Sequence, residues 1–474
     1  MSAPNLSIET VDFNVLPMET RFPFKYGIAA MTKLPHLFVT IRGHADNESF
    51  IGVASEGLPP KWFTKNPDTT FEQDLPLILE VIQHAGNLLK SADAASFFGI
   101  WQQLYDGQAI WAKERGIPPL LTNLGVSLME RAVIDGLCRQ RDICFGDSLR
   151  SNILDIDLGC IHALLSGYQP ADLLPTESLT RITARHTIGL GDPLELAEVE
   201  EPLNDGLPYA LDECIEAYGL NYFKVKLCGK LEQDLERLAS IHNVLSRCAP
   251  SDYRITLDGN EQFLDIGAFA SHWNRYLEDE KIRALFDHLL FVEQPIHRDH
   301  ALDDTVRTAI DDWPAAPPLI IDESEAEIES LPRALKLGYR GTSHKNCKGI
   351  VKGIANACLL EKMRRDSGEE YYLSGEDLAN VGPVALLQDL AVMAALGITH
   401  VERNGHHYFQ GLSMFPREVQ DRILADHPDL YRNHESGFPT LDIQKGELAL
   451  GSVVTAPFGC RPRLATEAFS VARM

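Results

Sequence analysis

Five charged residues stand at the ends of predicted strands and recur at intervals of 23 to 35 residues. They are two lysines and three acids: Lys226, Asp258, Glu293, Asp322 and Lys345. One strand and one helix span such an interval, so we expect these side chains at the same end of five successive parallel strands. Converging carboxylates repel one another unless a cation lies among them. All-oxygen ligands favour Mg²⁺, with Mn²⁺ as a substitute.

The segment 221–227 contains a second lysine, Lys224, two positions before Lys226. Alternate residues of a strand share a face, so both lysines point one way and the apolar residues between them point the other. An edge strand with solvated lysines is the alternative for this segment taken alone, but the acids downstream favour a barrel strand. Two ammonium groups about 7 Å apart repel by roughly 2.4 kcal/mol at an effective dielectric of about 20. We therefore expect Lys226 to lose its proton readily and Lys224 to stay charged and hold a carboxylate.

Lysines on two sides of a divalent cation indicate proton transfer. A hydrogen α to a carboxylate is a very weak acid, and its removal needs a base within reach and stabilisation of the negative charge that develops. Lys345 is chosen over Lys348 as the second lysine because it lies at the predicted strand end.

Strands and helices alternate through the second part of the chain. This alternation predicts a closed parallel α/β barrel over residues 151–439. An α+β domain is predicted over residues 1–150, with completion by about 440–474, and its loops 22–33 and 56–63 carry exposed aromatic residues. Three strands are predicted for this domain (7–13, 36–42 and 50–55) and eight for the barrel (182–188, 222–227, 253–258, 289–293, 318–322, 340–345, 371–374 and 398–402).

Composition restricts the class of protein. The 474 residues are 45% hydrophobic and 23% charged, as in a globular protein, and the formal net charge of −25 disfavours nucleic acid and anionic membranes as partners. No apolar stretch is long enough to span a membrane, and the first residues do not resemble a secretory signal. Nine cysteines without a Cys-x-x-Cys motif are typical of a reducing compartment, so a cytoplasmic location is expected.

The charged motifs together resemble the enolase superfamily. They read Lys-Val-Lys, Asp-Gly-Asn, Val-Glu-Gln-Pro and Ile-Asp-Glu-Ser, followed by Lys345. Within the superfamily the resemblance is to muconate-lactonizing-enzyme and mandelate-racemase-like proteins of the Lys-x-Lys subgroup, and it covers most of the chain. It implies a modified TIM barrel of the (β/α)7β type, with an N-terminal capping domain whose loops close over the substrate.

The resemblance also implies a role for each residue of the set. Asp258, Glu293 and Asp322 would be the metal ligands, with Asn260 and Glu323 as supporting groups. Lys226 and Lys345 would form the acid/base pair on opposite faces of the substrate. Two departures are present: Asn-Cys-Lys-Gly replaces the usual double glycine after Lys345, and Val-Glu-Arg-Asn replaces the acidic pair that dipeptide epimerases carry on the last strand.

The expected reaction is Mg²⁺-dependent abstraction of a proton α to the carboxylate of a small molecule, giving an enediolate. Racemisation or epimerisation is the first hypothesis, because facing lysines can remove a proton on one side and return it on the other. Elimination by a lyase (a dehydratase) or cycloisomerisation with the same residues is the close alternative. A metal-dependent carbon–carbon lyase and a non-catalytic homologue are further alternatives, and homo-oligomers are left open.

Several residues near the predicted strand ends have no assigned role. Glu376 follows the seventh strand, where capping of the next helix is favoured over substrate contact. Glu402 ends the eighth strand. His406 and His407 come directly after it and fit a substrate contact as well as a surface loop. His186, on the first strand, is expected to be a buried, hydrogen-bonded histidine.

Overall fold

The computed structural model describes residues 3–473 and begins with five strands. They are β1 (Leu6–Leu16), β2 (Glu19–Tyr26), β3 (Ala29–Lys33), β4 (His36–Ala45) and β5 (Glu48–Gly57). β1, β4 and β5 form an antiparallel sheet that contains all three strands predicted here. β2 and β3 pair as a separate hairpin, so the prediction of a loop over 22–33 was wrong. Phe22 and Phe24 are buried at alternate positions of β2, which is the pattern of a strand.

Four helices follow the sheet. They are α1 (Pro60–Thr64), α2 (Phe71–Ser91), α3 (Phe97–Glu114) and α4 (Pro119–Gln140). α2 begins with a capping box in which Thr70 and Gln73 satisfy each other's backbone amides. α4 is buried along almost its whole length. Arg131 of α4 forms a buried ion pair at 2.9 Å with Glu56 of β5, which fixes the helix against the sheet.

Three short helices, α5 (Phe145–Arg150), α6 (Leu158–Ile161) and α7 (Pro170–Leu173), lead into a barrel of eight parallel strands. A bridge between Ile321 and Thr342 joins the two ends of the ladder. The prediction of an α/β barrel behind an α+β N-terminal region is thereby confirmed. The barrel strands are β6 (Arg181–Ile188), β7 (Tyr222–Lys226), β8 (Arg254–Asp258), β9 (Leu289–Glu293), β10 (Leu319–Ile320), β11 (Gly341–His344), β12 (Tyr372–Gly375) and β13 (His400–Arg403).

Helices cover the outside of the barrel, so the outward side chains of the strands are apolar. Phe223 and Val225 of β7 are fully buried in this outer layer, while Lys224 and Lys226 point into the barrel. The helices are α8 (Leu211–Tyr218), α9 (Leu231–Cys248), α10 (Ile266–Tyr276), α11 (Glu280–Phe286), α12 (Thr305–Asp311), α13 (Ser330–Leu337), α14 (Ile350–Ser367), α15 (Ala385–Leu396), α16 (Gly405–Tyr408) and α17 (Arg417–Asp426).

The chain ends with β14 (Tyr431–Asn433), β15 (Pro439–Leu441), β16 (Glu447–Ala449), α18 (Gly451–Val454) and β17 (Ser470–Val471). We expected residues 440–453 to return to the N-terminal sheet. β16 instead pairs with β6 of the barrel, and the return is made later by β17, which pairs with β1. The boundary between the two domains stays a prediction. Across residues 3–473, each helix is too short or too polar to cross a membrane.

The contact between β5 and α4 depends on two glycines. A Cβ at Gly52 would overlap the Ala132 carbonyl oxygen, and one at Gly136 would overlap the Phe50 ring. We expect Gly52→Ala to lower the free energy of unfolding by about 1–3 kcal/mol or more, because α4 would have to move away from the sheet. Denaturant unfolding measures the loss. Gly107→Ala in α3 is the control, since its Cβ meets only the movable Leu88 side chain; an equal loss in both variants would contradict the packing argument.

Candidate active site

The barrel register brings the predicted site residues to one level. Lys226 lies opposite Asp258, and Asp258 lies opposite Glu293. Asp322 follows β10 by two residues, and Lys345 comes directly after β11. All five side chains are buried at the C-terminal mouth of the barrel, where active sites of this fold lie.

Lys224 lies at the centre of this mouth, surrounded by carboxylates. Its Nζ lies within 2.8 to 3.0 Å of one oxygen from each of four acids, Asp258, Glu293, Glu376 and Glu402. Burial would lower the pKa of Lys224, but the four carboxylates outweigh it and raise the pKa well above its usual value. Lys224 is therefore a permanent ammonium here, as expected from the sequence.

Lys345 occupies the opposite part of the mouth. Its Nζ is 2.6 Å from Asp322 Oδ1 and 2.7 Å from Glu376 Oε2. Burial opposes the charge, but these carboxylates raise the pKa of Lys345 well above its ordinary value. Lys348, the alternative considered from sequence, is also 2.7 Å from Asp322 Oδ1 but donates to the backbone carbonyls of Asp322 and Ser343 as well. Lys345 therefore lines the cavity, whereas Lys348 does not and instead holds Asp322 from the side away from the cavity.

Lys226 forms a single ion pair, at 2.6 Å with Asp258 Oδ2. Asn260 donates its backbone amide to the other oxygen of Asp258 and its side-chain amide to the same oxygen as Lys226. Asn260 thus holds both oxygens of Asp258, and its role beside a metal ligand stays a prediction. The expected repulsion between Lys224 and Lys226 is offset, because both ammonium groups contact Asp258.

Glu293 is the group that a cation fits best. Both of its oxygens are buried and accept no hydrogen bond from residues 3–473. Burial and the neighbouring carboxylates raise the pKa of Glu293 well above its ordinary value. One oxygen each from Glu293, Asp322 and Glu376 lie within 4.8 Å of one another, so these acidic groups could hold a metal ion. The sequence analysis named Asp258 as the third ligand, whereas the third acid of this cluster is Glu376.

Glu323 lies beside this cluster rather than in it. It lines a small cavity with Tyr26, Lys65 and Arg298. Burial, with Asp322 and other acids nearby, raises the pKa of Glu323 to about 8, so the group is largely protonated at neutral pH. A protonated Glu323 reduces the negative charge next to Asp322.

A cleft lies above the charged groups, with about 430 Å³ of space that is partly open to solvent. Phe24, Tyr26 and Met31 of the β2–β3 hairpin line one side, and Trp62 of α1 lines another. The Trp62 ring is 5.2 Å from Lys345 Nζ, a cation–π contact. The prediction of exposed aromatic residues over 56–63 was wrong, because Trp62 and Phe63 are buried where α1 packs over the mouth.

Comparison with known proteins gives a match in structure and none in sequence. No protein-family model and no curated protein matches the chain. A mandelate racemase/muconate lactonizing protein from Herpetosiphon aurantiacus is 16% identical with a TM-score of 0.58, covering 95% of this chain and 97% of that one. The chain therefore has the same fold as this mandelate racemase/muconate lactonizing protein.

Two ligand-bound structures with this fold are also similar. Dipeptide epimerase from Enterococcus faecalis, complexed with Mg and the dipeptide L-Leu-L-Tyr, is 15% identical with a TM-score of 0.58, covering 94% of this chain and 99% of that one. Muconate lactonizing enzyme from Pseudomonas fluorescens, complexed with muconolactone, is 14% identical with a TM-score of 0.56, covering 98% and 97%.

Sequence reasoning gave no site role to two acids of the mouth. Glu376 directly follows β12 and Glu402 lies in β13, so the rule that found the other acids, a charge at the end of a strand, also points to them. Helix capping was the favoured role for Glu376, and that expectation was wrong. Its side chain instead contacts Lys224, Lys345 and Arg185 inside the barrel.

The Glu293→Gln variant allows the effects of Glu293 on stability and on metal binding to be measured separately. The substitution keeps the shape of the side chain but removes a buried carboxylate that lacks hydrogen-bond donors. Without added metal, we expect the free energy of unfolding to stay equal or to rise by about 1 kcal/mol. We expect Mg²⁺ to stabilise the variant less than the wild type, because the stabilisation by a bound ion grows with the logarithm of its concentration divided by Kd.

Thermal unfolding with and without Mg²⁺ measures both effects. Glu402→Gln is the matched control, because Glu402 already accepts hydrogen bonds from Thr187 and Asn404 and lies outside the cation cluster. The same Mg²⁺-dependent shift in wild type and Glu293→Gln would contradict the assignment of Glu293 as a ligand.

Proposed function

We propose that the protein is a Mg²⁺-dependent enzyme that removes a proton α to the carboxylate of a small molecule and forms an enediolate. The observation that carries the proposal is the placement of Lys226 and Lys345 on one cavity, beside a cluster of carboxylates. A bare cluster of acids is compatible with many functions, but two lysines that reach the same space add a means of proton transfer.

The metal would be held by Glu293 and Asp322, completed by Asp258 or Glu376. When bound, Mg²⁺ supplies positive charge that stabilises the negative charge developing on the substrate carboxylate. Lys224 adds a fixed positive charge next to the same group. The apolar cover made by Tyr26, Met31 and Trp62 excludes water, which strengthens each of these electrostatic contacts.

Lys226 and Lys345 approach the cavity from different strands. An α-carbon between them would present one face to each amine, so that one lysine removes the proton and the other returns it. This arrangement favours racemisation or epimerisation. The two ligand-bound proteins with this fold carry names from both classes, an epimerase and a lactonizing enzyme, so cycloisomerisation, or elimination by a lyase, remains the second candidate.

Other parts of the proposal rest on the sequence motifs alone. They are membership of the Lys-x-Lys subgroup, the use of Mn²⁺ as a substitute and a cytoplasmic location. Assembly into homo-oligomers remains open, and the replacement of the acidic pair by Val-Glu-Arg-Asn argues against dipeptides as substrates.

Exchange of the substrate α-hydrogen for deuterium tests the proposal. With Mg²⁺ in D₂O, we expect NMR to detect exchange for at least one member of a panel of chiral carboxylates. If the reaction is a racemisation, Lys226→Ala should abolish exchange from one enantiomer and Lys345→Ala from the other, because each lysine serves one face. A loss of at least about 100-fold is expected for each, the lower range for general acid–base catalysis.

Lys90→Ala, on the exposed face of α2, is the control and should exchange at the wild-type rate. Exchange that survives in Lys226→Ala would refute the role of that residue. Exchange lost for both enantiomers in each lysine variant, with unsaturated or cyclised product from the wild type, would favour elimination or cycloisomerisation over racemisation.

A further inference from the structure

A second group of potential metal ligands lies in the wall of the barrel. His186 of β6, Cys214 of α8 and His407 of α16 each present one ligand atom, and the three atoms lie within 4.8 Å of one another. Cys214 Sγ is 3.7 Å from His407 Nδ1. All three side chains are at most 2% exposed. A ligand atom of each residue is therefore close enough to share one ion after small side-chain rotations.

The fold explains why these distant residues meet. Arg185 and Thr187 of β6 point into the barrel, where they contact Glu376 and Glu402. His186, between them, must point outward, toward the buried face of α8. Cys214 lies on that face, and β13 runs beside β6, so the residues just after β13 reach the same place. Three segments of the wall thus converge behind β6, outside the cavity of the candidate active site.

The two groups of ligands differ in chemistry. The mouth of the barrel offers carboxylate oxygens, which suit Mg²⁺. The wall offers two imidazoles and a thiol, a set that prefers a softer ion, and Zn²⁺ is the usual occupant of such sites in proteins. Burial lowers the pKa of His186 to about 4 and that of His407 well below its usual value, so both rings are neutral and can offer a lone pair.

The surroundings of His407 also resemble those of a metal ligand. Its Nε2, on the side of the ring away from Cys214, is 3.8 Å from Asp192 Oδ2, which is longer than a hydrogen bond, so the carboxylate would orient the ring only after moving closer. Asp192 is held in place by the Tyr408 hydroxyl at 2.7 Å and the Gly189 amide at 2.8 Å. A carboxylate behind a ligating imidazole fixes its tautomer and orientation. Tyr408 and Gly189 thus position the group that would orient His407.

His406 lies next to the group but outside the set of ligand atoms within 4.8 Å of one another, so its ring would have to turn to supply a fourth donor. His406 Nε2 is 3.4 Å from His186 Nδ1, and His406 Nδ1 is buried without a hydrogen-bond partner in the part of the chain that the structure describes. A buried, unpaired ring nitrogen is costly unless something binds it. No residue of the group lines the cavity above the carboxylates, so an ion here would have a structural rather than a catalytic role.

We propose that His186, Cys214 and His407 bind a structural Zn²⁺ ion, with His406 as the nearest fourth ligand, and that this ion joins β6, α8 and the segment after β13. The proposal is independent of the reaction proposed for the mouth of the barrel. The buried thiol of Cys214 must lose its proton as the ion binds, so Zn²⁺ binding would release a proton. The binding energy would also add to the stability of the folded chain.

Metal content and sulfur coordination test this site. The full-length protein is produced with Zn²⁺ and dialysed against buffer with excess Mg²⁺ and no Zn²⁺. We expect elemental analysis to give about one Zn²⁺ per chain, and X-ray absorption at the zinc edge to detect a sulfur neighbour at about 2.3 Å. Zinc bound only by oxygen and nitrogen, or no retained zinc, would overturn the proposal without the need for any variant.

Variants then identify the thiol. Cys214→Ser should lose the sulfur neighbour and bind Zn²⁺ at least about tenfold more weakly. Cys358→Ser is the matched control, because Cys358 is equally buried in α14 but lies outside the ligand group. With Co²⁺ in place of Zn²⁺, the thiolate-to-metal absorption band should be present in wild type and Cys358→Ser and absent in Cys214→Ser. A band of equal strength in all three proteins would exclude Cys214 as the ligand.

Discussion

The ammonium group of Lys224 is the interaction on which the arrangement of the barrel mouth depends. Carboxylates from four other barrel strands or strand ends converge on it. A buried charge is costly unless it is paired, and four acids without this cation would repel one another in a medium of low dielectric. An ammonium has only three protons to donate, so one of the four acids must lack a full hydrogen bond. Lys224 donates to Glu376 and Glu402, Asp258 accepts from Lys226 and Asn260 instead, and the two oxygens of Glu293 accept none.

The need to pair buried charges inside the barrel also decides which side of each strand is apolar. In most barrels of this kind the interior is filled by layers of branched aliphatic side chains. Here the interior below Lys224 also holds a charged group: Arg185 of β6 donates to Ser374, to the Gly375 carbonyl and to Glu376, and its guanidinium lies over the buried Phe291 ring. The apolar core lies instead between the strands and the surrounding helices, where Phe223 and Val225 are buried. A buried arginine inside the apolar outer layer thus gives Glu376 a partner beneath the mouth.

This division explains how much the sequence could predict. Runs that end in or next to an acid or a lysine mark six of the eight barrel strands, because the apolar signal comes from the outer face and the charge from the inner one. The strands predicted over 182–188 and 371–374 end in Ile188 and Ser374 and were found from the alternation of strands and helices. The β2–β3 hairpin escaped prediction because Arg21, Pro23 and Lys25 interrupt its apolar residues, and only the contact of Phe22 and Phe24 with Tyr408 makes their alternation meaningful.

The missed features share a physical cause, which is that they depend on contacts between distant segments. Residues 440–453 are strand-like, but the choice between pairing with β6 and pairing with β1 is made in three dimensions. Repulsion between Lys224 and Lys226 follows from their spacing alone, whereas the carboxylates that offset it come from segments 32 to 178 residues away. The local sequence pattern therefore predicts on which face of a strand a side chain lies. It does not predict which charged groups from other segments lie next to it.

The ion pairs at the mouth also bear on how the site would work. Lys224 and Lys345 now contact the oxygens of Glu293, Asp322 and Glu376, which are the oxygens available to a cation. One carboxylate oxygen cannot contact two ammonium groups and a divalent ion at full strength, because the positive charges repel one another. Lys345 would therefore give up part of its hold on Asp322 and Glu376 when the ligand cluster is occupied. If the cluster binds the proposed ion, the Lys345 amine would be free to turn toward the cavity, and the ion and Lys345 would compete for the same carboxylates.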